Sequence, residues 1–193
     1  MNFMFEKLEI EGLVIAEPKI FEDSRGYFLE TYSEKYFYKS GINEKFVQDN
    51  MSKSIKGVIR GLHFQKKYCQ AKLVTVIYGE VYDIAVDLRN DSKTFGKYFG
   101  VLLNEENKKQ FFIPKGFAHG FVVLSDTVIF SYKCSDYYHP EEENGIIYND
   151  KNIAINWGDY ISNDFIISDK DLSLSDFDYN KKYFSLTGEW IGE

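Results

Sequence analysis

Cysteine and histidine are scarce in this sequence of 193 residues, which holds two cysteines and three histidines. Cys69 and Cys134 form no CxxC pair, so neither a disulfide scaffold nor a cysteine-rich zinc site is indicated. The histidines are scattered: His63 is followed two positions later by Gln65 and not by a second histidine, and His139 lies in a polar turn. Small β-barrels that hold iron or manganese use a tighter cluster of histidines with a carboxylate. We therefore predict no catalytic metal.

Long apolar segments and an excess of basic charge are also missing. The N-terminus has neither a basic segment nor an apolar run of signal-peptide length, and no stretch approaches the length of a membrane span. Lysine and arginine total 23 against 30 acidic residues, giving a net charge of −7 that repels nucleic acid. We expect a cytoplasmic protein without membrane or nucleic-acid partners. The motifs GxGxxG, GxxxxGK[ST] and GxSxG are absent, so dinucleotide-binding, P-loop and serine-hydrolase functions lack their signatures.

Aromatic residues are abundant, at 18% of the chain, with 15 Tyr and 17 Phe. This composition favours strands, and short β-type runs separated by turn residues predict a sandwich or barrel in one domain spanning residues 1–193. A tight hairpin is predicted at Tyr78-Gly79-Glu80. The predicted strands are 46–52, 58–64, 71–78, 81–88, 97–103, 110–113, 117–124, 128–135 and 153–157, and the predicted helices are 33–39 and 178–184.

Alternation along three predicted strands groups a titratable side chain with apolar neighbours, because successive residues point to opposite faces of a sheet. Tyr132 shares a face with Val128, Phe130 and Cys134; Lys72 shares one with Val74 and Val76; His119 shares one with Phe117, Phe121 and Val123. Glycines beside His63 and His119 allow a ligand to approach closely. Each histidine taken singly is more often structural than catalytic, but together with Lys72 and Tyr132 they form a candidate site.

A series of motifs covers roughly residues 10–175: FEDSRGYFLE, FVQDN, KGVIRGLHFQ, AKLVTVIYGEVYDIAVDLR, KTFGKYFGVLL, FFIPKGFAHGF, YKCSDYY and SDKD. In order and spacing they resemble the dTDP-4-dehydrorhamnose 3,5-epimerase family. The resemblance implies an all-β, cupin-like jelly-roll β-barrel with short peripheral helices. It also implies a homodimer that epimerises a nucleotide-linked 4-keto-6-deoxy sugar without a cofactor.

The resemblance further implies roles for matching residues. His63 would be the general base, Tyr132 the acid, Asp171 the partner that orients His63, and Lys72 the group that stabilises an enolate. Inversion beside a ketone requires a base and a proton donor on opposite faces of the sugar, together with stabilised charge on the ketone oxygen. Substrate contacts are implied for Phe21, Arg25, Glu30, Gln48, Asn50, Arg60 and His119.

Some positions depart from the family pattern. Ala71 replaces a common glycine, Lys115 replaces a common glutamate, and Lys66-Lys67-Tyr68 forms a divergent loop. These departures leave open whether the nucleotide carries thymidine or guanosine, whether the sugar is a hexose or a heptose, and whether C3 alone or both C3 and C5 are inverted. A 3,4-ketoisomerase and a non-catalytic carbohydrate-binding module are the alternatives. The intact acid–base set argues against the binding module.

Overall fold

The computed structural model describes residues 2–160 and 165–192, most of which form or connect strands. The strands are β1 (Phe3–Lys7), β2 (Val14–Pro18), β3 (Phe21–Asp23), β4 (Gly26–Phe28), β5 (Gln48–Ile55), β6 (Ile59–Gln65), β7 (Lys72–Tyr78), β8 (Glu80–Asp87), β9 (Tyr98–Asn104), β10 (Gln110–Ile113), β11 (Phe117–Val123), β12 (Thr127–Cys134) and β13 (Glu143–Gly145). The helices are α1 (Glu34–Ser40) and α2 (Asp169–Leu172), with single 3-10 turns at Pro140–Glu142 and Gly158–Tyr160. No helix in the described ranges is long and apolar enough to cross a membrane.

Two antiparallel sheets enclose the main core. One has the strand order β1-β2-β10-β7-β12-β5, and the other has the order β13-β6-β11-β8-β9. Their facing sides bury alternate side chains, among them Val74, Phe111, Phe121 and Phe130. The predicted all-β class is confirmed, because the aromatic and β-branched residues alternate along strands that bury one face in this core.

Each sheet is also covered on part of its outer face. Helix α1 packs Phe37 against Phe3 and Ala16 on the six-stranded sheet. The helix ends at Gly41, whose φ of 96° favours glycine and whose N–H bonds the carbonyls of Phe37 and Tyr38. The five-stranded sheet is covered by the C-terminal part of the chain, which buries Trp157, Phe177 and Phe184 against it. The predicted helix 33–39 is thus confirmed, within one residue at each end.

The predicted strand 153–157 is wrong. Ile153 and Trp157 are buried as a strand pattern suggests, but the segment is irregular. Asp150 accepts hydrogen bonds from the backbone N–H groups of Asn152 and Ile153, at 2.8 and 2.7 Å. A side chain therefore satisfies backbone groups that a neighbouring strand would otherwise pair.

The predicted helix 178–184 is also wrong. Its backbone N–H groups bond to side chains: Asp178 accepts from Asn180 at 2.9 Å, and Asn90 accepts from Tyr183 at 2.6 Å. Phe184 then forms a bridge to Arg89, which draws this segment along the five-stranded sheet as extended chain. Side-chain acceptors, of which Asn90 is distant in sequence, have taken N–H groups that a helix would bond to its own carbonyls.

Tyr78-Gly79-Glu80 is a turn, but it does not form the predicted hairpin. Strand β7 before it pairs with β10 and β12, while β8 after it pairs with β11 and β9. The turn therefore carries the chain from one sheet to the other. Gly79, at φ 82°, is required there because a Cβ would lie 2.2 Å from the carbonyl oxygen of Thr127.

Candidate active site

A cavity of about 420 Å³ lies between the two sheets and is lined by side chains from both. Eight of the eleven predicted site residues line it; they are Gln48, Asn50, Arg60, His63, Lys72, His119, Tyr132 and Asp171. Because strands from both sheets contribute, residues far apart in sequence converge on one space. The fold thus gathers most of the predicted site.

His63 on β6 is paired with Asp171 on α2. The His63 Nε2 atom lies 2.7 Å from Asp171 Oδ1, while Oδ2 accepts the backbone N–H of Gly61 at 3.3 Å. Ser168 caps α2 by accepting the Asp171 N–H at 3.1 Å, which fixes the position of the carboxylate. Although burial acts to raise it, the pKa of Asp171 is lowered by its bonds to His63, Gly61 and Ser168. An ionised Asp171 holds a proton on Nε2 and leaves Nδ1 as the nitrogen that can accept one.

Tyr132 enters the cavity from the opposite sheet. It lies on β12 between β5 and β7, directly across from Asn50 and Val74. Burial, with the neighbouring Cys134, raises the pKa of the Tyr132 phenol, so the hydroxyl stays protonated at neutral pH. The cavity therefore has a histidine–carboxylate pair on one wall and a phenol that can donate a proton on the other.

Asp83 is a buried residue that is bonded to His119 and electrostatically coupled to Lys72, and the sequence reasoning missed it. Both oxygens of Asp83 lie 3.0 Å from His119 Nε2. Burial raises the pKa of Asp83 and lowers the pKa values of His119 and Lys72, and the attraction of Asp83 for these two groups opposes all three shifts. Strand alternation could have found this residue, since Asp83 shares its face with the buried Val81 and Ala85. The cavity thus has a buried carboxyl group behind it that is bonded to His119 and electrostatically coupled to Lys72.

The rim of the cavity adds further residues that the sequence did not reveal. Glu143 on β13 accepts hydrogen bonds from the Tyr138 hydroxyl and, at 2.5 Å, from Lys170 Nζ. Lys170 immediately precedes Asp171, so this hydrogen-bond network adjoins the His63–Asp171 pair. These residues come from a polar turn, a short edge strand and a helix. No periodic pattern in the sequence links them.

Phe21, Arg25 and Glu30 do not line the cavity of the same chain in the described structure. Phe21 and Arg25 lie in the hairpin of β3 and β4, whose residues are all exposed. The Asp23 carboxylate accepts hydrogen bonds from the backbone N–H and the guanidinium of Arg25. Glu30 accepts a hydrogen bond from Asn2 Nδ2 at 3.0 Å. No group of three or more metal-ligating side chains occurs among the described residues.

Comparison with known proteins places this arrangement in a family. The family model for dTDP-4-dehydrorhamnose 3,5-epimerase matches residues 7–178. The chain is 49% identical to the dTDP-4-dehydrorhamnose 3,5-epimerase of Methanothermobacter thermautotrophicus over 182 residues, covering 94% of this chain and 98% of that protein.

Solved structures agree. The dTDP-6-deoxy-D-glucose-3,5-epimerase of Legionella pneumophila, in complex with dTDP-4-keto-L-rhamnose, matches at 50% identity and TM-score 0.87, covering 90% of this chain and 92% of that one. A 3′-monoepimerase of Streptomyces bikiniensis, in complex with dTDP-quinovose, matches at 28% identity and TM-score 0.81 over 89% and 86% of the two chains. The predicted cupin-like jelly roll is confirmed by these neighbours, and the chain belongs to the dTDP-4-dehydrorhamnose 3,5-epimerase family.

Proposed function

We propose that this protein inverts both C3 and C5 of a dTDP-linked 4-keto-6-deoxy hexose. The observation that carries the proposal is the placement of the His63–Asp171 pair and Tyr132 on opposite walls of one cavity. A base and an acid on opposite faces of a bound sugar are what inversion at carbon requires. A binding module has no need for such a pair.

In this mechanism His63 Nδ1 removes the proton from a carbon beside the ketone. The electron pair moves onto the ketone oxygen as an enolate, and Lys72 stabilises the negative charge that develops there. Tyr132 then gives a proton to the opposite face of the same carbon, which inverts it. C3 and C5 both flank the C4 ketone, so the same groups can act on each in turn. No redox cofactor enters, because the substrate's own ketone accepts the electrons.

Two comparisons support a dTDP-linked substrate and the inversion of both C3 and C5. The relatives that are about 50% identical are named 3,5-epimerases, and the Legionella enzyme was solved with dTDP-4-keto-L-rhamnose. The monoepimerase, bound to dTDP-quinovose, is more distant at 28% identity. A GDP-linked 4-keto heptose and an inversion of C3 alone are therefore less well supported.

The proposed active form is a homodimer in which each hairpin of β3 and β4 contacts the partner's cavity. The hairpin exposes 42% of Phe21 and 67% of Phe28, and exposed aromatic clusters of this kind are typical of contact surfaces. The outer face of the six-stranded sheet also exposes Met51, Ile55 and Ile77, on the side of the strands opposite Tyr132 and Val74. In this proposed dimer, Arg25 of each hairpin makes its substrate contact in the partner's cavity.

The proposed location is the cytoplasm. Cys69 and Cys134 are both free thiols, and Cys134 is buried. Unpaired cysteines are usual where glutathione and thioredoxin keep thiols reduced. This supports the location that the sequence predicts.

The test is to incubate the protein with dTDP-4-keto-6-deoxyglucose in D₂O and to locate deuterium by NMR. We expect the inverted sugar to hold one deuterium at C3 and one at C5, with the carbonyl still at C4. A carbonyl moved to C3 would instead identify a ketoisomerase, and deuterium at C3 alone a monoepimerase. Lack of exchange with either dTDP- or GDP-linked 4-keto sugars would contradict an epimerase function altogether. His63→Asn is the control for exchange catalysed by the buffer.

A further inference from the structure

One buried glutamine, Gln65, connects strand β6, which carries His63, to the rim of the cavity. Gln65 lies two residues after His63 on β6 and is 5% exposed. Its amide nitrogen donates to the carbonyl oxygens of Tyr68 at 2.7 Å and Tyr137 at 3.2 Å, and its amide oxygen accepts the N–H of His139 at 2.7 Å. Both amide hydrogens and the amide oxygen are therefore used, and all three bonds go to backbone.

The segment held in this way carries Tyr138, whose side chain lines the cavity and is 49% exposed. Gln65 binds the residue before Tyr138 and the residue after it, so it fixes the backbone on both sides of this ring. The Tyr138 N–H donates in turn to Gln48 Oε1 at 3.1 Å, on the opposite sheet. Without Gln65, the 137–139 segment would lose two hydrogen bonds that join it to β6.

The loop before β7 is also hydrogen-bonded to Gln65. Tyr68 belongs to the connection of residues 66–71, and its ring stacks on His139 with centroids 4.0 Å apart. Gln65 bonds the Tyr68 carbonyl on one side and the His139 N–H on the other. The two loops at this end of the cavity therefore share one buried side chain as their common support.

We propose that Gln65 is a positioning residue that holds Tyr138 and the two rim loops in the geometry that binds the nucleotide sugar. This inference rests on the proposed function for its substrate, but the hydrogen-bonding arrangement stands apart from it. A buried side chain that satisfies three backbone groups is costly to replace, because each partly buried group loses its partner. His63 itself is held by Asp171 and by strand pairing, so Gln65 acts on binding and not on proton transfer.

The first test replaces Gln65 with Met, which keeps length and volume but forms none of the three bonds. We expect KM for the dTDP-linked substrate to rise about tenfold while kcat changes less than about threefold. Hydrogen–deuterium exchange should show faster exchange of the His139 amide, whether or not the substrate has been correctly identified. Gln110→Met is the matched control: Gln110 is also buried, and its amide bonds Thr31 O at 2.7 Å, but it does not line the cavity. In Gln110→Met, both KM and the exchange rate of the His139 amide should equal the wild-type values.

The second test uses Gln65→Glu, which keeps the shape of the side chain. An ionised carboxylate would face the carbonyls of Tyr68 and Tyr137, so burial should raise its pKa, and protonation would restore one donor. The ratio of variant to wild-type KM should therefore be smallest in mildly acidic buffer and grow as the pH rises. Three results would each overturn the proposal. They are a fall in kcat at unchanged KM, an unchanged exchange rate of the His139 amide in Gln65→Met, and a KM ratio for Gln65→Glu that does not depend on pH. Absence of turnover by the wild type would contradict the proposed function instead, and the amide exchange would still test the role of Gln65.

Discussion

The cavity and the hairpin of β3 and β4 both contain residues that the family resemblance implies for the substrate, but they are built differently. In the cavity, His63 and His119 are adjacent partners in strand pairing, and each is bonded to a carboxylate of the same chain. In the hairpin, Phe21, Arg25 and Phe28 lie on an exposed two-stranded ribbon. A two-stranded hairpin alone is marginally stable in water. The proposed acid and base thus lie in the cavity of one chain, and the exposed hairpin supports the proposal that it acts against a second copy.

The largest effect is expected from His63→Asn, which removes the proposed base from the cavity. Product formation should fall by about 10³–10⁴-fold, within the range usual for loss of a general base. Deuterium exchange into the substrate in D₂O should fall with it, because no enolate forms. Circular dichroism should show an unchanged fold. Exchange at the wild-type rate would mean that another group removes the proton.

Tyr132→Phe should separate the two halves of the inversion. The ring stays packed beside Phe130 and only the hydroxyl is lost. His63 can still remove a proton and return deuterium to the same face. In D₂O the starting sugar should therefore gain deuterium with its configuration retained, while epimerised product falls about 10²-fold. Inversion at the normal rate would exclude Tyr132 as the acid.

Arg25→Ala tests the hairpin, with a smaller effect expected. KM should rise about tenfold with little change in kcat, as for loss of one charge-assisted hydrogen bond to substrate. The sharper measurement mixes His63→Asn and Arg25→Ala subunits at substrate concentrations below KM. If the hairpin acts in the partner's cavity, random pairing leaves about a quarter of the cavities with both groups intact. The mixture should then exceed the mean activity of the two variants measured separately. A mixture that equals this mean would place Arg25 in its own subunit's site, or outside any site.

Much of the candidate site could be predicted because strand alternation is a local property. Lys72, His119 and Tyr132 were placed on apolar faces from their neighbours alone, and these faces line the barrel interior. The same test applied to Glu80–Asp87 would have revealed Asp83. The roles of His63 and Asp171 came from the family resemblance, since 108 residues separate them and no local pattern connects them.

The elements that were wrongly predicted share one cause. Segments 153–157 and 178–184 have strand-like and helix-like composition, but side chains outside each segment accept backbone N–H groups in them: Asp150 accepts from Ile153, and Asn90 accepts from Tyr183. Tyr78-Gly79-Glu80 has the composition of a hairpin turn but joins two sheets. Which groups satisfy a backbone depends on what the rest of the chain brings near it.

By itself, the sequence determined that this chain forms strands, which side chains share the inner face of each strand, and the motifs that mark its family. These follow from residue type and from a period of two along the chain. Only the tertiary structure decided that Asp83 meets His119, that Gln65 bonds the loop of Tyr138, and that Arg25 lies outside its own chain's cavity. Such contacts depend on the order in which strands pair and sheets face each other, which long-range packing selects and local composition does not encode.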